Sequence, residues 1–197
     1  MYDYRKMTPQ EQRETVEQRQ TQNRPWHRLP HRVDESQTYI LTSTCWEHAP
    51  ILDSPERRAQ LSAQLHEVMR EHEAVLFAWC ILPNHYHLLV QCDVALVMKS
   101  LGRLHGATSR AWNLEDDRVG RSVWYGCCDR SMRSEAHFYA SMNYIHANPV
   151  KHRYAKRAEL WDASSFDHYL ELWGRQALRE MWFAYPVLDY GKGWDWT

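Results

Sequence analysis

The chain has no run of about 18 consecutive apolar residues, so nothing in it reads as a membrane-spanning helix. Its first residues are polar and lack the basic-then-apolar profile of an export signal. No phosphate-binding GxxxxGK[ST] loop occurs, which excludes the commonest route to nucleotide hydrolysis. The five cysteines, Cys45, Cys80, Cys92, Cys127 and Cys128, are odd in number and never spaced as CxxC. A disulfide framework or a cysteine-based zinc site is therefore not expected, and reduced thiols in a cytosol fit best. Charge of one sign is missing too. Lys and Arg number 24 against 25 Asp and Glu, a net charge of -1, which does not favour a nucleic-acid binder by its sum. Placement matters more than the sum, and the cations cluster locally: Arg118 and Arg121, Arg130 and Arg133, then Lys151, Arg153, Lys156 and Arg157. Such clusters are either solvated faces or phosphate contacts.

What is abundant is aromatic. Ten Trp and eleven Tyr are many for 197 residues; most must be core or surface-wedging rings, and rings are also the platforms on which unpaired bases stack. Residues 1–37 form a polar arm rich in Gln, Arg and Glu, where Thr8-Pro9 could open a short helix anchored only by Val16. A catalytic unit is expected over 38–155, and a C-terminal helix with an aromatic tail over 156–197. Strands are expected at 38–45, 75–82 and 85–91, with a shorter one near 122–125. Ser54-Pro55 opens a helix whose Leu61, Leu65, Val68 and Met69 share one face. A second helix covers about 94–112, with Val97, Leu101, Leu104, Thr108 and Trp112 inward. A third runs from Ser134 to Asn148 on a Phe138, Met142 and Ile145 stripe and ends at Pro149. The order β-α-β-β-α-β-α predicts an α+β fold, a ferredoxin-like antiparallel sheet with helices on one face.

Two short patterns carry chemistry. His85 and His87 are i and i+2 on a strand, so both imidazoles point to one face and can share a cation, while Tyr86 points into packing. Tyr144 and Asn148 are i and i+4 on a helix, stacked on a face away from the apolar stripe, with the phenol open to react and the Asn oxygen able to bind a metal. His146 lies round the helix from Tyr144 and reads as structural.

The stretch Trp79-Cys-Ile-Leu-Pro-Asn-His-Tyr-His-Leu-Leu-Val90 resembles the HUH strand of the tyrosine transposases, most of all the REP-associated tyrosine transposases. Tyr144-Ile-His-Ala-Asn-Pro-Val-Lys151 resembles that family's nucleophile helix. Leu104-His-Gly-Ala-Thr-Ser-Arg-Ala-Trp-Asn113, Val123-Trp-Tyr with Asp129-Arg130, and Trp161-Asp-Ala-Ser-Ser165 are similar as well, so the likeness runs in order over about 26–197. The resemblance implies an HUH nuclease domain that cleaves and rejoins single-stranded DNA beside imperfect hairpins. It implies Mg²⁺ or Mn²⁺, held by His85, His87 and Asn148, and Tyr144 joined to a 5′ phosphate while a 3′-OH departs. The alternative is a hairpin-binding protein without catalysis. Arg103, Arg110, Asn113, Arg130, Arg133, Lys151 and Arg153 are the candidate DNA contacts. A monomer or homodimer in the cytoplasm, associated with the nucleoid and not with membrane, is expected. The Ser164-Ser165 pair caps the next helix or binds phosphate, and the aromatics of 185–196 pack back on the domain or cover the site.

Overall fold

The computed structural model describes residues 37–188, Tyr190, and Thr8, Gln10 and Glu14 in the N-terminal segment; the expected arm and most of the aromatic tail lie outside the described residues. Four strands, β1 (Gln37–Cys45), β2 (Val75–Leu82), β3 (His85–Cys92) and β4 (Trp124–Ser131), form one antiparallel sheet in the order β2-β3-β1-β4. This is the ferredoxin-like strand order.

Helix α1 (Pro55–Glu71) starts where expected, with Ser54 Oγ accepting from Arg57 N at 3.1 Å and Pro55 in the first turn, where its missing N–H costs nothing. Its Leu61, Leu65, Val68 and Met69 are buried against the sheet together with α2 (Val94–Glu115), capped by Asp93. Each such side chain contributes roughly 1.5–3 kcal/mol on burial. These two helices cover one face, meeting Tyr39, Leu41, Tyr86, Leu88 and Val90. Helices α3 (Glu135–Lys151) and α4 (Phe166–Ala184) add a layer on the opposite face, over Ile40, Ala78, Cys80 and Leu89. The ferredoxin-like unit thus keeps its own helices on one face, and the rest of the chain covers the other.

Three details differ from the sequence reading. The last strand begins in the expected 122–125 window but runs to Ser131, because every residue from 126 pairs with β1 despite the unfavourable Gly126 and Asp129. Helix α2 runs to Glu115, three residues past the expected end. Pro149 does not end α3: it forfeits one backbone bond, but His152 N still donates to Asn148 O at 2.9 Å and Tyr154 N to Pro149 O at 2.8 Å, so the last turn closes.

The segment after α3 protects an edge of the sheet. Ile81 N donates to Ala163 O at 2.9 Å, Ser165 N to Trp79 O at 3.0 Å, and Trp161 Nε1 to Ile81 O at 3.0 Å. Ser165 Oγ also accepts from Trp79 N at 3.0 Å and bonds His146 Nε2 at 2.9 Å, so it ties β2 to α3; it makes no side-chain cap to α4, and Ser164 Oγ accepts from Phe166 N instead. Burial holds His146 neutral, its pKa lowered to about 3, which fits its structural reading.

Candidate active site

The alternation of β3 puts His85, His87 and Leu89 on the α3 face and Tyr86 on the other, where its hydroxyl bonds His105 Nε2 at 2.9 Å. Both histidines are buried, and their ring centroids are 4.9 Å apart. Each ring is oriented by a neighbour. Asn84 Oδ1 accepts from His85 Nδ1 at 2.7 Å, and the Asn84 amide donates to His48 O at 3.3 Å, which fixes the orientation of that amide. Thr42, directly opposite His87 on β1, places Oγ1 2.8 Å from His87 Nδ1. With Nδ1 engaged, the lone pair of His85 falls on Nε2; Nε2 of both rings is buried.

Helix α3 faces this pair with one stripe. Tyr144 meets His87 with ring centroids 5.1 Å apart, and His152, two turns on at the helix end, meets His85 at 5.2 Å. Asn148 lies between them on the same stripe, i+4 from one and i-4 from the other. Its Nδ2 donates to Tyr144 O at 2.9 Å, and its Oδ1 is buried with no hydrogen bond to any described residue. Among the described residues no three His, Cys, Asp or Glu side chains could hold a metal ion. A divalent cation here therefore needs the two imidazoles, an amide oxygen and oxygens from water or substrate. The unsatisfied Asn148 Oδ1 beside two Nδ1-anchored imidazoles fits that donor set.

Tyr144 is 0% exposed, whereas its phenol was expected to stand open. The reason is the tail. Tyr190 packs on Tyr144 with ring centroids 5.4 Å apart, and its hydroxyl bonds Ser141 Oγ at 2.5 Å and His137 Nε2 at 3.1 Å. Lys151 brings its ammonium 4.9 Å from the Tyr144 ring centre.

The candidate DNA contacts divide into two groups. Arg130 shares a register position with Ile40 of the Tyr144 cluster, and with Arg133 it lies near enough to His137 to reinforce the lowering of that imidazole's pKa, which burial chiefly causes. Lys151 is the last residue of α3, and the exposed Arg153 lies two residues beyond it, with φ 62. Arg103, Arg110 and Asn113 lie on α2, the layer behind the sheet. Arg103 donates to Ser100 Oγ at 2.8 Å, Arg110 is exposed, and Asn113 is buried, its amide bonded to Arg121 O and its oxygen to Arg121 Nε. Thr42 and His152 carried no expectation from the sequence and Asn84 was read only as a turn residue, whereas the expected packing of the tail aromatics on the domain is met by Tyr190. His152 had a legible signal, since it continues the i, i+4 stripe of Tyr144 and Asn148.

Comparison with known proteins accords with this geometry. Residues 35–148, more than half of the chain, match the family model described as "Transposase IS200 like". The fold is similar to a REP-associated tyrosine transposase solved bound to a REP hairpin, with TM-score 0.56 and 18% identity over 73% of this chain and 84% of that one. A protein from Deinococcus radiodurans described as a transposase aligns with TM-score 0.41 and 19% identity over 60% of this chain and 95% of that one. No curated protein matches. With its four-stranded antiparallel sheet, its paired histidines and its facing tyrosine helix, the chain belongs to the IS200-like transposase family of DNA-processing enzymes.

Proposed function

We propose that the protein cleaves and rejoins single-stranded DNA next to imperfect hairpins through a 5′-phosphotyrosine on Tyr144, in the manner of a REP-associated tyrosine transposase. One observation carries this reading: the Tyr144 ring abuts His87 on the same helix stripe as the unsatisfied Asn148 oxygen. The hairpin substrate is inferred from the relative solved with a REP hairpin.

His85, His87 and Asn148 would hold Mg²⁺ or Mn²⁺, which when bound supplies positive charge to the phosphate oxygens that gain charge in the transition state. The chain's own residues do the rest. Asn84 and Thr42 hold the imidazoles in place. The Tyr144 oxygen attacks phosphorus and gives up its proton; the bond from phosphorus to the 3′ oxygen breaks, and that oxygen leaves as a hydroxyl. The phosphotyrosine keeps the phosphodiester's bond energy, so a 3′-OH can attack it and release the tyrosine without a nucleotide cofactor. Lys151 adds a cation beside the nucleophile. Arg130, Arg133, Lys151 and Arg153 flank this face and form the nearest phosphate path. Arg103, Arg110 and Asn113, behind the sheet, would meet only a more distant part of the substrate.

The burial of Tyr144 keeps a second reading, a hairpin binder without catalysis. Labelled hairpin DNA with an unpaired flank, incubated with Mn²⁺ and run on a denaturing gel, separates the two. A covalent adduct, lost in EDTA and in His85→Ala or His87→Ala, supports the transesterase; a mobility shift with neither adduct nor cleavage supports the binder. Cleavage without an adduct would mean a metal hydrolase that does not use Tyr144.

A further inference from the structure

The end of α3 carries a ring that the proposed chemistry does not use. Pro149 has no N–H to donate back to Ile145, so the helix is one backbone bond short directly after Asn148. His152 restores the connection, its N–H donating to Asn148 O at 2.9 Å. The Asn148 side chain is tied the other way, its Nδ2 donating to Tyr144 O at 2.9 Å. Asn148 is therefore held between Tyr144 on one side and His152 on the other. Where its Oδ1 stands depends on both.

Both of these neighbours rest on the paired histidines. The Tyr144 ring meets His87 with centroids 5.1 Å apart and planes at 65°, and the His152 ring meets His85 at 5.2 Å and 72°. The two contacts lie about 12 Å apart along the helix axis, at about 1.5 Å per residue. Two contacts so far apart fix both the tilt and the depth of the helix on the sheet, whereas one would leave it to pivot about His87. Behind His152 the line of rings continues. Tyr154 stacks on it at 6.2 Å with planes 26° apart, and Tyr154 meets Trp161 at 5.8 Å. Trp161 is fixed to β2, its Nε1 donating to Ile81 O at 3.0 Å, and the Arg58 guanidinium lies 4.6 Å over its ring. His152 is thus wedged between His85 and a column of rings anchored on the sheet.

We infer that His152 is a positioning residue for the cleavage reaction: its ring clamps the end of α3 against His85 and thereby sets where Asn148 Oδ1 and the Tyr144 hydroxyl stand relative to the two imidazoles. The inference rests on the proposed metal-assisted chemistry, since the Asn148 oxygen has something to be aimed at only where a cation is bound. His152 acts through this contact and not as a third imidazole ligand, because among the described residues no three His, Cys, Asp or Glu side chains could hold a metal ion. Asn84 orients His85 through Nδ1, and His152 backs the ring itself. A ligand free to drift by about 1 Å holds its cation less tightly, and a nucleophile that drifts as far loses its line of attack.

The test compares His152→Ala with His152→Phe, which keeps a ring and removes both nitrogens. Mn²⁺ affinity is measured by EPR titration without DNA, and the rate of covalent adduct formation at saturating Mn²⁺ and hairpin DNA. His152→Ala should weaken Mn²⁺ binding about 10- to 100-fold and slow adduct formation about 10-fold or more, and His152→Phe should restore both to within about threefold of wild type. Tyr154→Ala removes the ring behind His152 from a position 43% exposed, so the core stays closed. It should weaken Mn²⁺ binding about 2- to 10-fold, and it carries the test if His152→Ala does not fold. Wild-type Mn²⁺ affinity in His152→Ala, or in Tyr154→Ala where His152→Ala is unfolded, overturns the clamp. His152→Phe as impaired as His152→Ala also overturns it, since a nitrogen and not the ring is then what the site uses. In these cases a wild type that still forms the adduct on Tyr144 leaves the cleavage reading standing. A wild type that binds Mn²⁺ and forms no adduct removes the cleavage reading while the titrations still decide the clamp; one that binds no Mn²⁺ overturns both.

Discussion

Asn84 accepts a hydrogen bond from His85 at 2.7 Å while its amide donates to the carbonyl of His48 at 3.3 Å. One side chain thereby sets a tautomer and anchors a left-handed turn. Asn84→Ala removes both bonds, and Mn²⁺ affinity, measured by EPR titration, should fall about 10- to 100-fold. Asn84→Asp keeps the acceptor for His85 and should lose much less. Equal affinity in wild type and Asn84→Ala would mean that His85 needs no orienting partner.

Tyr190 covers Tyr144, so under the proposed mechanism a phosphodiester has to displace that ring before attack. Tyr190→Ala should raise the initial rate of covalent adduct formation severalfold. It should also lower stability by about 1–2 kcal/mol, since the bonds to Ser141 and His137 are lost. Stability is read by urea unfolding. An unchanged or slower rate would show that Tyr190 supports the reactive geometry instead of covering it.

Asp116 anchors the end of α2 to Arg57 and Arg121, whose hydrogen bonds, Arg57 first, lower its pKa from 3.8 to about 2. The folded value is depressed, so its stabilisation is present above pH 3.8 and lost as pH falls through 2. Asp116→Asn should cost about 1 kcal/mol at neutral pH, and the variant should converge with wild type in thermal melts as pH drops toward 2. A gap that widens on acidification would contradict the assignment.

The sequence carried the fold wherever pattern and packing agreed. Ser54-Pro55 and Ser134 marked helix starts that the side chains do cap, and the apolar stripe of α1 lies against the sheet as its spacing demands. It failed where tertiary contacts overrode local preference. Gly126 and Asp129 make a poor strand alone but pair fully with β1, and Pro149 looks like a stop although later N–H groups close the turn around it. His85, His87, Tyr144 and Asn148 were legible as two local spacings, and the structure brings both spacings to one place. Their supports were not legible, because Thr42 is 45 residues from His87 and Tyr190 is 49 from Ser141. No periodicity reports such pairings.

The central claim is that Tyr144 is the nucleophile. The measurement is mass spectrometry of a protease digest after incubation with single-stranded hairpin DNA and Mn²⁺. It should find the nucleotide adduct on Tyr144, carried through a 5′ phosphate. Tyr144→Phe should form no adduct while binding the hairpin within a few fold of wild type, because only the hydroxyl is removed. An adduct on another residue, or one that persists in Tyr144→Phe, would contradict the account.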